Sequence, residues 1–74
     1  MNLSELPIGS IGIVKKVLPT AKNKKKIADM GIIAGNKIQV ECYAPFGSLL
    51  LIKVLNSKLT IQKEEAKKIL IDKI

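Results

Sequence analysis

The 74-residue chain contains no histidine, no arginine and no tryptophan, and its aromatic residues are Tyr43 and Phe46 alone. Each absence removes a class of function. With no His, and Cys42 as the one cysteine, a single chain cannot assemble the His and Cys ligand sets that hold zinc or non-haem iron. Carboxylates are no substitute: only Glu64 and Glu65 adjoin, and neighbours on a helix point apart. No resident metal or cofactor is expected. Cys42 lacks any base to activate it, and its strand pattern puts it inward, as a small buried hydrophobe. Neither GxxxxGK[ST] nor GxGxxG occurs, so no phosphate-cradling loop is present and catalysis is not expected. One thiol forms no intrachain disulfide, so a chain of this size must be stabilised by its apolar core. The longest run without charge, Cys42 to Ile52, is broken by Pro45 and Gly47 and is too short to span a bilayer. The opening "MNLSELPIG" lacks the basic start and apolar centre of a signal peptide, which points to the cytoplasm.

What is abundant is aliphatic and cationic. Hydrophobic residues make up 47% of the chain, mostly Ile, Leu and Val, the composition of a β-rich globular core. Thirteen lysines against six acids give a net charge of +7, which favours acidic partners: nucleic acid, anionic headgroups or an acidic protein surface. A solvated lysine face accounts for the same numbers. The lack of Arg weakens the nucleic-acid reading, because bidentate phosphate and guanine contacts are mainly arginine chemistry.

Turn signals cut the chain into short strands. Leu3 and Leu6 flank a polar turn, and "PIGS" leads into a strand from Ile11 to Leu18, closed by Pro19. "NKIQVECYA" alternates, with Ile38, Val40, Cys42 and Ala44 expected on the inner face and Tyr43 on the outer. "LLLIKVL" and "KLTIQ" form a hairpin across a two-residue connection placed at Asn56 and Ser57, and Leu59 and Ile61 point inward. "KEEAKK" makes about one helical turn before a last strand, "ILIDKI". Short strands at this spacing suggest a small closed barrel, since closure removes exposed edges. The expected class is all-β with a short inserted helix: one SH3-like barrel of about five strands, plus one or two short helices, over residues 1–74.

The inserted helix lies in "KNKKKIADMGIIAGNKI" and is charged against its own dipole, with Lys24, Lys25 and Lys26 at its start and Asp29 near its end. Its ending can be worked out. With Gly31 as the left-handed residue past the helix, Ile27 and Ile32 take the two positions whose side chains meet in a Schellman ending. Ile33-Ala34-Gly35-Asn36 then forms a type II turn, with Gly35 at the position that needs positive φ. The lysines gain nothing from this device. Lys25 and Lys26 reach Asp29 only in the weaker order, for a few tenths of a kcal/mol. They are therefore candidates for partner binding. The loop Ala44-Pro45-Phe46-Gly47 offers a second candidate: Phe46 at its tip either docks on a partner or folds over an open barrel end. Pro45 and Gly47 shape that loop.

Taken together these residues resemble the FeoA family, ferrous iron transport protein A. The likeness is carried by Lys26, Ile27, Asp29, Met30, Gly31, Ile32 and Gly35, then by Ala44-Pro45-Phe46-Gly47, Leu59-Thr60-Ile61 and Glu65-Ala66-Lys67-Lys68-Ile69. The opening "LSELPIGSIGIV" matches as well, so the likeness covers nearly the whole chain. Ala34 stands where the family usually has Pro, Lys26 where it has Arg, and Ser48-Leu49 where a polar-Pro pair is common. The resemblance implies an SH3-like barrel acting in ferrous iron uptake, with iron as the transported ion. It further implies a cytoplasmic protein at the inner face of the membrane through its partner, the cytoplasmic GTPase-bearing part of the FeoB transporter. Its role there would be in nucleotide turnover or complex assembly. The same fold forms the C-terminal domain of DtxR-type repressors, and this chain, with no winged-helix portion before the barrel, is not expected to be one. Lys24, Lys25, Lys26, Met30, Phe46 and Leu49 are the expected partner-binding residues: the lysines steer encounter and the apolar groups give buried contact. Leu49 also suits self-association. A small-barrel nucleic-acid binder using the basic surface is the alternative.

Overall fold

A computed structural model describes residues 1–21, 24–44 and 47–74. Five strands, β1 (Ile11–Val17), β2 (Lys37–Tyr43), β3 (Leu49–Val54), β4 (Ser57–Gln62) and β5 (Ile69–Lys73), form one antiparallel sheet in the order β4-β3-β2-β1-β5. Helix α1 (Lys24–Asp29) is inserted between β1 and β2, and α2 (Lys63–Ala66) joins β4 to β5. Period-2 alternation sends Ile38 and Val40, Leu50 and Ile52, and Ile69 and Ile71 inward, where they meet Leu3, Leu6, Ile27 and Ile32 in one fully buried aliphatic core. The N-terminal segment covers the outer edge of β5: Asn2 bridges Leu70, and the Ile71 amide donates to the Met1 carbonyl at 2.8 Å.

The helix ending forms as its residues dictate. The Ile32 amide donates to Ile27 (3.2 Å) and the Gly31 amide to Ala28 (3.0 Å), the paired bonds of a Schellman motif, with Gly31 at φ +93°. Gly35 sits at φ +95° and the Asn36 amide returns to the Ile33 carbonyl at 3.1 Å, closing the type II turn. The turn is tied down from two sides. The Asn36 side-chain amide donates to the Gly31 carbonyl (2.7 Å), and the Gly35 amide donates to Val14 of β1 (2.8 Å). Ala34 is exposed at the turn position that proline pre-sets, so Ala34→Pro should stabilise the fold by about 0.4–1 kcal/mol. A denaturant titration checks this, and a lower midpoint would contradict the turn.

Two expectations are corrected. Cys42 is exposed, because β2 slips register between Val40, opposite Ile52, and Cys42, opposite Leu51. That bulge leaves Glu41 as the extra residue and reverses the alternation behind it. Tyr43, expected outside, is instead half-buried against the core, and its hydroxyl donates to the carbonyls of Leu6 (2.7 Å) and Ser4 (3.2 Å). The β3–β4 turn is Leu55-Asn56, one residue earlier than expected, with Val54 opposite Ser57. Both turn residues have positive φ, +50° and +67°, the mark of a type I′ turn. The earlier turn sets Leu50 against Ile61 and Ile52 against Leu59. The later one would have set Leu50 against Lys63. Burying apolar pairs outweighs a left-handed leucine, which costs about 1–2 kcal/mol.

Candidate functional site: the corner around Leu49

Leu49 opens β3 and stands opposite Gln62, the last residue of β4. From there α2 turns away on one side, while α1 crosses on the other, held by Ile27, which is fully buried, and Met30, which packs half-buried against the core. Two clefts result. One, of about 290 Å³, is lined by Lys26, Ile27, Met30, Leu49, Thr60, Ile61, Gln62 and Glu65. The other, of about 610 Å³, runs past Gly47, Ser48, Leu49, Gln62, Lys63, Glu64 and Lys67. Leu49, 40% exposed, forms part of the wall of both and is the apolar point they share.

Three of the six expected partner-binding residues therefore come together here: Lys26, Met30 and Leu49. Lys24 and Lys25 are exposed on the same helix but do not line the cleft. Phe46 and Pro45 lie outside the described residues, whereas Gly47 heads the bend into β3, its amide donating to Ala44 at 2.8 Å. Thr60, Gln62, Glu65 and Lys67 also line the corner and were not expected. The signal for them is the hairpin register, which puts Gln62 beside Leu49 once the turn is placed at Leu55-Asn56.

The charges on α1 are not neutralised within the fold. Among the described residues the ion pairs are Lys15–Asp72 (3.6 Å) and Lys67–Glu64 (3.5 Å), both between exposed side chains, and neither involves α1. The expected Lys25–Asp29 and Lys26–Asp29 contacts are not formed. Nor is there a metal-binding cluster of three or more His, Cys, Asp or Glu among the described residues. None of the described helices is long and apolar enough to cross a membrane. Tyr43 is half-buried against the core, with its hydroxyl donating to Leu6 and Ser4.

One antiparallel sheet of five strands, with a helix inserted between β1 and β2 and a second short helix before β5, defines a small SH3-like domain. Residues 1–73 match the model of the FeoA domain, and the chain belongs to the FeoA family. The solution structure of a FeoA-like protein from Clostridium acetobutylicum is 35% identical, covering 100% of this chain and 86% of that one with a TM-score of 0.91. FeoA from Stenotrophomonas maltophilia is 26% identical, covering 97% and 89% with a TM-score of 0.84. That protein was crystallised with zinc and is described as an SH3 domain protein and a candidate ferrous iron transport activating factor. A manganese-dependent transcriptional repressor shares the fold alone: 15% identity over 100% of this chain and 41% of the repressor, with a TM-score of 0.88. Among curated proteins none matches. The family is associated with ferrous iron transport.

Proposed function

We propose that the protein is an accessory subunit of ferrous iron uptake that docks on the cytoplasmic, GTPase-bearing part of FeoB through the Leu49 corner. The observation that carries this reading is the meeting of Lys26, Met30 and Leu49 in one cleft, beside two further exposed lysines. Long-range attraction brings the acidic partner to α1, and desolvation of Met30 and Leu49 holds it. An interface of ordinary size takes about 800 Å² from each partner. This chain exposes 4585 Å² in all, so such an interface would extend from α1 across Leu49 to α2. Iron is cargo in this scheme and need not touch the protein. The family link supports a transporter partner and the unpaired basic helix supports an acidic one.

The test is calorimetric titration of the protein into the soluble cytoplasmic part of FeoB, loaded with GDP and then with a GTP analogue. Saturable binding in at least one nucleotide state, weakening as salt rises, is expected. No heat and no co-migration in either state would overturn the reading. Fluorescence anisotropy with duplex and single-stranded oligonucleotides at physiological salt decides the alternative, and no binding is the expected result.

A further inference from the structure

A second groove, of about 530 Å³, lies at the far end of β3 from Leu49 and shares no lining residue with the two clefts of that corner. β1 contributes Ile11, β2 contributes Lys37 and Gln39, and the β3–β4 hairpin contributes Lys53, Leu55 and Asn56. A six-residue strand is about 20 Å long, so one partner side chain cannot touch both sites.

Three features of this groove point to a ligand. Its apolar groups face water: Leu55 is 64% exposed and Ile11 39%. Its charge has one sign, with Lys37 and Lys53 both exposed and no carboxylate among the lining residues. Leu55 also holds φ +50° in a turn position suited to Asn, Asp or Gly, with one methyl against Gly31 and the residue 64% exposed. The register requires a turn here; it does not require a leucine.

We propose that this groove binds a segment of a partner protein in which aliphatic side chains are flanked by carboxylates. One aliphatic side chain lies against Leu55 and Ile11, and carboxylates on either side reach Lys37 and Lys53. Charge complementarity selects this occupant over a second copy. Two copies meeting through the groove would oppose their own lysines, each chain carrying +7, with no carboxylate there to answer them. The protein then has two docking surfaces, at opposite ends of β3, and can bridge two partners or two segments of one.

The probe is a short synthetic peptide alternating aspartate and leucine, titrated into the isotopically labelled protein. Expected are saturable amide shifts at Ile11, Lys37, Gln39, Lys53 and Leu55, with Lys24 to Met30 and Leu49 unmoved. The double variant K37E/K53E should bind at least about tenfold more weakly. L55N should also bind about tenfold more weakly while remaining folded, because Asn tolerates positive φ and only the contact of Leu55 with Gly31 is lost. Equal binding of a peptide with lysine for aspartate, undiminished binding by K37E/K53E, or shifts centred on α1 would each overturn the proposal. So would displacement of the peptide by phosphatidylglycerol vesicles shifting the same residues, or light scattering showing a dimer formed through them.

Discussion

Replacing Gly31 by valine should lower stability by about 3 kcal/mol, a large share of the total for so small a domain. Two costs combine. At φ +93° a β-branched residue is strained wherever it sits. A Cβ on Gly31 would also lie 2.8 Å from Leu55 Cδ1 and 3.3 Å from Val54 Cγ1. The Leu55 side chain can swing away into solvent, but Val54 is buried and cannot. Gly35 supplies the control: φ is +95°, with nothing within 4 Å of its would-be Cβ. Gly35→Ala should therefore cost only the backbone strain, about 1–2 kcal/mol, and Gly31→Ala should cost more. In thermal melts a domain of this size loses about 4–8 °C per kcal/mol, so Gly31→Val should melt more than about 10 °C below the parent. Equal losses for Gly31→Ala and Gly35→Ala would show that the helix ending does not press on the hairpin. Because α1 carries Lys26 and Met30 to Leu49, binding should weaken in proportion as this ending loosens.

The triple reversal K24E/K25E/K26E should slow association with the FeoB portion at least about tenfold at low ionic strength and flatten its salt dependence. Six charge units are exchanged, taking the chain from +7 to +1. The fold should not suffer, and this separates steering from damage. Acids suit the start of α1 better than lysines do, so stability should hold or rise by about 0.3–1 kcal/mol. A slower on-rate with an unchanged or higher melting temperature supports the assigned role. An unchanged on-rate removes α1 from the interface.

Local chemistry made much of this fold legible. Gly31 and Gly35 mark the helix ending and the type II turn because few residues other than glycine adopt positive φ there without strain. Alternation assigned Ile38, Val40, Leu59 and Ile61 correctly, whereas Leu49 to Leu55, apolar on nearly both faces, gave no such assignment for Leu50 and Ile52. What failed depended on pairing between strands. Nothing in "QVECY" marks the register slip after Val40, since a bulge is fixed by the partner strand as much as by its own residues. Cys42 and Tyr43 exchanged faces in consequence. Leu55 was read as the end of a strand because leucine rarely accepts a left-handed turn; tertiary burial of Leu50 against Ile61 overrides that preference. The same one-residue shift hid Gln62 from the Leu49 corner, and with it the α2 side of the site.

The proposed docking surface for FeoB is the Leu49 corner. The most direct test is a chemical-shift map of the labelled protein, recorded as the unlabelled cytoplasmic part of FeoB is added in its GDP and GTP-analogue states. Perturbation or line broadening should concentrate at Lys24, Lys25, Lys26, Met30, Leu49 and Gln62 and leave the outer edge of β5 unchanged. A map centred elsewhere on the domain, or no change in either nucleotide state, would rule the corner out as the FeoB-binding surface.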